Sequence, residues 1–138
     1  MDRRAFLIDA CRTCAALAAL PVAASIEGCA SAKVVPMAEG VATVPLSLLG
    51  DKPSAVVAVK GLPNKLLLVR RADGGYHALE LNCPHKNGPL KEKDGRLVCA
   101  WHGSAFSLDG ELLKGPSRQG LRRYMAEAAG DQVRIRLA

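Results

Sequence analysis

Aromatic residues are scarce in this chain, which has one Trp, two Tyr and two Phe among 138 residues, 4% in all. That excludes a core of stacked rings. The 49% of hydrophobic residues is weighted toward Ala, Leu and Val, so the interior must be built of small side chains around a modest volume. Something beyond core burial is expected to hold the fold, and a metal centre bound by side chains would do so, because ligand binding to the folded form alone is also folding free energy. Long apolar runs are missing too: the longest, Thr13–Ile26, has 14 residues, short of the roughly 20 needed to cross hydrocarbon. There is no internal repeat, no low-complexity tract and no Gly-rich phosphate loop before a helix start. No aromatic-flanked basic run marks a nucleic-acid groove. The length suits one domain and leaves no room for a second, catalytic one.

What is present is a series of short apolar-rich runs: Val41–Leu49, Ala55–Lys60, Lys65–Arg70, Tyr76–Leu81, Arg96–Ala100, Leu121–Ala126 and Gln132–Leu137. Most are too short for helices and read as strands. Turn signals separate them at Gly61-Leu62-Pro63-Asn64, Asp73-Gly74-Gly75, Asp94-Gly95, Asp109-Gly110 and Gly130-Asp131. The expected fold is all-β, an antiparallel sandwich or barrel, over residues 41–138. Residues 33–40 show no periodicity and contain Pro36 and Gly40, so a tether is expected there.

The informative stretch is Cys83-Pro84-His85, then thirteen residues, then Cys99-Ala100-Trp101-His102. Each half offers one soft thiolate and one imidazole. A [2Fe-2S] core usually takes four thiolates, but in the Rieske variant two His replace two Cys on one iron, which raises the reduction potential. Two loops presenting one Cys and one His each build that site if the thiolates share one iron and the imidazoles the other. A zinc-stabilised binding module is the competing reading, because Cys₂His₂ is an ordinary tetrahedral set; zinc, however, favours two to four residues between paired cysteines.

The stretch Leu81–Gly120 resembles the Rieske [2Fe-2S] family in Cys83-Pro84-His85, Gly88-Pro89-Leu90, Cys99-Ala100-Trp101-His102-Gly103-Ser104, Phe106, Asp109-Gly110 and Gly115-Pro116. The resemblance implies one [2Fe-2S] cluster, with Cys83 and Cys99 on an inner iron and His85 and His102 on an outer, surface-near one, in a two-loop cluster-binding subdomain. It implies that Gly103 lets backbone amides approach the sulfides and that Gly115-Pro116 covers the cluster from a third side. Quinol-oxidising relatives carry an extra Cys in each loop, joined as a disulfide; Gly88 and Trp101 stand there instead, and no such bond can form. Ser104 keeps a hydroxyl that bonds a bridging sulfide in high-potential members, while Phe106 replaces a Tyr that would bond a cysteine sulfur. Fewer hydrogen bonds to sulfur imply an intermediate to low potential. Trp101 is either a core filler or a shield for the cluster. His77, Tyr76 and Tyr124 are expected to be structural.

Residues 1–32 read as an address. Asp2-Arg3-Arg4-Ala5-Phe6-Leu7 followed by Thr13–Ile26 resembles a twin-arginine export signal, a route that carries folded proteins and so suits one loaded with a cluster beforehand. Cys11 and Cys14, inside the apolar region, are expected to be inert. Ile26-Glu27-Gly28-Cys29 resembles a lipoprotein cleavage box, Ala30-Ser31-Ala32 an ordinary site, and an uncleaved anchor is the third alternative. Cysteine arithmetic favours lipidation at Cys29, which would otherwise be an unpaired thiol in an oxidising compartment; acylation would tether the protein to a membrane, facing the periplasm or the outside.

The formal charge is +6, and Asp2, Asp9 and Glu27 balance Arg3, Arg4 and Arg12, so the excess lies after residue 28. Either this is an ordinary solvated surface, or Lys86, Lys91, Lys93, Lys114 and Arg118 surround the cluster loops and steer an acidic redox partner or an anionic membrane. The expected function is an exported one-electron carrier, not an enzyme on its own, with a cytochrome or oxidoreductase subunit as partner. The alternative is a Rieske subunit of a larger oxidoreductase, a quinol–cytochrome c reductase or an arsenite-oxidase-like enzyme.

Overall fold

A computed structural model describes residues 32–138; the export-signal and cleavage expectations, with Cys11, Cys14 and Cys29, fall outside the described residues. Twelve strands follow in order: β1 Lys33–Val35, β2 Met37–Ala38, β3 Val41–Pro45, β4 Ser54–Val59, β5 Leu66–Arg70, β6 Tyr76–Glu80, β7 Leu90–Lys93, β8 Arg96–Cys99, β9 Ala105–Ser107, β10 Leu112–Lys114, β11 Arg123–Ala129 and β12 Gln132–Arg136. Eight form one sheet in the order β1-β4-β5-β6-β11-β12-β3-β2, and four form a smaller one, β10-β9-β8-β7.

Alternation places the first core. Ala42 and Val44 of β3, Tyr124 and Ala126 of β11, and Val133 and Ile135 of β12 point inward, while Arg123, Met125, Glu127, Arg134 and Arg136 between them face out. Strand β5 breaks this rule: Leu66, Leu67, Leu68 and Val69 are all buried. Leu66 and Leu68 enter the core of the large sheet with Ala78 and Val133, while Leu67 and Val69 enter a second core with Leu79, Leu90, Leu97, Phe106, Cys83 and Cys99. The continuous apolar run exists because the small sheet covers the outer face of β5 and β6. His77, read as structural, lies at this seam, where its Nε2–H donates to the carbonyl of Leu108 at 2.7 Å.

The expected tether is corrected by the structure. Strand β1 pairs with β4 in parallel, Lys33 opposite Val57 and Val35 opposite Val59, and β2 pairs with β3 at the other edge of the sheet. Only Pro36 separates β1 from β2, so the two edges are joined through one residue and the sheet curls into a nearly closed barrel. Among the described residues the parallel pair is the one exception to an otherwise antiparallel ladder. These strands are two and three residues long and bury Val35 alone, too few positions for a period of two to register. Gly40 belongs instead to the turn between β2 and β3: Glu39 and Gly40 have φ of 51° and 75°, as a type I′ hairpin requires. Asp94-Gly95, at 52° and 72°, does the same between β7 and β8.

Candidate metal centre

The first candidate loop leaves β6 and returns into β7. The amide of Cys83 donates to the carbonyl of Gly88 at 3.0 Å, and the amide of Asn87 donates back to the carbonyl of Cys83 at 2.8 Å. The second loop, between β8 and β9, repeats this pattern: Cys99 N–H to Ser104 O at 2.8 Å and Gly103 N–H to Cys99 O at 3.1 Å. Both loops thus close from the fifth residue onto the cysteine, and both need a left-handed residue in fourth place, Asn87 (φ 57°) and Gly103 (φ 76°). A Cβ on Gly103 would meet nothing within 4 Å, so conformation rather than space calls for glycine there. Asn tolerates the same region because its short polar side chain bonds locally, here by accepting at Oδ1 from Asn82 Nδ2 at 3.1 Å.

The loops lie side by side. Ala100 N–H donates to the Pro89 carbonyl at 3.1 Å, and Leu90 pairs with Cys99 across β7 and β8. Cys83 and Cys99 are buried free thiols, 1% and 3% exposed. The His85 and His102 rings meet edge to face with centroids 4.9 Å apart; His85 is half-buried and His102 is exposed. The structure thus brings the two imidazoles into contact and puts the two thiols in one buried cluster, thiols inside and imidazoles outside.

A third segment leans on the second loop. After β10 the cis peptide Gly115-Pro116 leads to buried Ser117, whose N–H donates to the hydroxyl oxygen of fully buried Ser104 at 2.9 Å. Ser117 carried no sequence signal, since a lone Ser in a loop is ordinarily solvated. Phe106 is completely buried in the core that holds both cysteines. Trp101 is 59% exposed, which corrects the core-filling alternative: it sits in the second loop, outside any strand. Lys86, Lys91, Lys93, Lys114 and Arg118 are all exposed.

Below the first loop Glu80 accepts from Tyr124 O–H at 3.0 Å and from Asn64 Nδ2 at 2.6 Å. Burial first, then the hydrogen bond to Glu80 and its charge, raises the Tyr124 phenol above its usual value, while Arg122, over the ring at 5.1 Å, works against them. Tyr76 and Tyr124 lie in β6 and β11 as sheet residues.

An all-β barrel carrying a small four-stranded sheet, with paired Cys/His loops projecting from it, defines a class of small metal-binding β domain. The Rieske [2Fe-2S] domain matches residues 42–125, and the chain belongs to that family. It is 33% identical over 98 residues to human apoptosis-inducing factor 3, covering 60% of this chain but only 16% of that protein. Among solved structures it resembles the cyanobacterial plasma membrane Rieske protein PetC3 from Synechocystis PCC 6803 (TM-score 0.57, 24% identity, 67% of this chain and 94% of that one). It also resembles the ferredoxin of carbazole 1,9a-dioxygenase from Nocardioides aromaticivorans IC177 (TM-score 0.51, 19% identity, 70% and 95%). These two likenesses concern the fold.

As a Rieske domain the chain binds one [2Fe-2S] cluster and carries electrons. The residues present fit that group. His85 Nδ1 is buried without a hydrogen-bond partner, an acceptor that a metal would satisfy, and both thiols are unpaired.

Proposed function

We propose that the chain is a one-electron carrier of intermediate to low potential, with Cys83 and Cys99 holding the inner iron and His85 and His102 the outer. The observation that carries this reading is the gradient of exposure across the donor set, from buried thiols to a solvent-exposed imidazole edge where a partner can dock. The cluster, when bound, supplies one-electron transfer. Of Ser104 and Phe106, the two side chains that the family resemblance aims at sulfur, only Ser104 carries a hydroxyl. Ser104 already accepts from Ser117 N–H, so its hydroxyl hydrogen is the one it can still give, and Phe106 offers none. Fewer hydrogen bonds stabilise the more negative state less and lower the potential. The exposed Lys86, Lys91, Lys93, Lys114 and Arg118 favour an acidic partner, a cytochrome or an oxidoreductase subunit.

Export by the twin-arginine route and acylation of Cys29 complete the proposal, supported by the Arg3-Arg4 pair and by the use of Cys83 and Cys99 elsewhere. The domain on this reading starts at Ala32 rather than residue 41, since β1 and β2 close the barrel. An EPR-monitored redox titration at several pH values tests the function. A Rieske signal in the lower part of the roughly −150 to +300 mV range, changing little near neutrality, is expected. A high midpoint that falls with pH would place the protein with quinol oxidation, and colourless protein would restore zinc.

A further inference from the structure

The single Trp of this chain occupies an unexpected place. Large aromatic side chains are mostly buried, yet Trp101 is 59% exposed at the tip of the second loop. Its inner face is accounted for by Gly88. A Cβ built on Gly88 would lie 2.7 Å from Cys99 Sγ and 3.1 and 3.2 Å from Cδ2 and Cε3 of the indole. Gly88 is not among the residues with positive φ, so its backbone does not require glycine. Space does, because the indole and the Cys99 sulfur together fill the volume a side chain would take. First loop, second loop and ligand sulfur therefore meet at one spot, and the indole lies over it on the solvent side.

We infer that Trp101 is a positioning residue: a non-covalent clasp that presses the second loop onto Gly88 of the first and closes solvent access to the Cys99 sulfur. This rests on the proposed assignment of Cys99 as an iron ligand. An apolar ring packed beside Gly88 and the Cys99 sulfur excludes water from the sulfur and resists parting of the loops, two effects that a cluster held between those loops needs. The observed meeting of ring and sulfur is at Cys99, so the shielding is proposed for that thiol.

The test uses the full chain in two forms. In the cluster-free protein, timed iodoacetamide labelling with peptide mapping reads Cys83 and Cys99 separately. Trp101→Ala should speed labelling of Cys99 several-fold and leave Cys83 unchanged, and Trp101→Phe, which keeps a ring, should restore slow labelling. Gly88→Ala should act like Trp101→Ala, because its Cβ drives the ring and sulfur apart; the sole Trp then reports its own displacement by red-shifted emission. In the loaded protein, Trp101→Ala should lose its visible absorbance to a chelator about tenfold faster, the scale of losing a supporting residue around a metal. Equal acceleration at both cysteines, no change at Cys99, or no rescue by Phe would overturn the clasp. A chain that never takes up a cluster would defeat the ligand assignment while the labelling pattern still decides the clasp.

Discussion

Tyr124, Glu80 and Asn64 form a polar knot where β6 passes into the first loop, and the phenol makes that knot sensitive to alkali. The Tyr124 phenol titrates above its usual value in the folded chain, chiefly through burial, whereas in the unfolded chain it titrates near 10. As pH rises past 10, the unfolded chain loses its proton first and is stabilised relative to the folded one. The contribution of Tyr124 is thus whole below pH 10 and is lost as pH climbs through the folded value. Tyr124→Phe should cost about 1 kcal/mol at neutral pH and flatten the alkaline loss relative to the parent, as read by urea denaturation at pH 8 and above pH 10. At Phe106 the missing group is a hydroxyl. Phe106→Tyr should raise the midpoint by on the order of 50 mV, the one-electron equivalent of a hydrogen bond worth about 1 kcal/mol; an unchanged midpoint in a redox titration would mean that position 106 does not reach the sulfurs.

At the level of elements, β5 divides the molecule. Leu68 faces the barrel core and its neighbour Leu67 the core beneath the small sheet, and both are essentially fully buried. Truncating either to Ala should cost about 2–5 kcal/mol. The two variants should part company over the cluster: Leu67→Ala loosens the core that contains Cys83 and Cys99 and should shorten the lifetime of visible absorbance, while Leu68→Ala at matched stability should not. Equal lifetimes would show that the small sheet is held by its own strands. Those strands were also the hardest to read. Leu90–Lys93 buries one residue of four, and Ala105–Ser107 and Leu112–Lys114 have three residues each, so no alternation can register. The seven runs that were legible all overlap observed strands, because each has at least one buried face. The run expected over Leu121–Ala126 slides to Arg123–Ala129 because Leu121 is spent on the second core.

For the molecule as a whole, charge and tether make separate predictions. Electron exchange with an anionic redox reagent should slow as salt rises from about 0.01 M to 0.15 M, where the Debye length falls from roughly 30 to 8 Å, and exchange with a neutral reagent should not. A salt-independent rate would return the lysines around the loops to ordinary solvated surface. If Cys29 is acylated, Ala30, Ser31 and Ala32 alone separate it from β1, so the barrel would sit close to the membrane. Cys29→Ala should then move the protein from the membrane to the soluble fraction on fractionation. Recovery of both forms in the soluble fraction would favour an ordinary cleavage after Ala32.

The sequence alone established the family, and with it one [2Fe-2S] cluster, that the body is β, and that Gly88 and Trp101 exclude a disulfide between the two loops; it also singled out the four proposed donors. Such features are local, carried by residue type and spacing over a few positions. What the tertiary structure alone decided is where each of these stands. It placed the thiols inside and the imidazoles outside, gave two dissimilar loops one backbone pattern, covered the outer face of β5 with the small sheet, closed the barrel through residues 33–38, and laid an exposed Trp over a glycine. All of these depend on contacts between segments distant along the chain, whose energy comes from excluded water and paired backbone groups across strands, and a short run of residues carries no record of which partner will cover it.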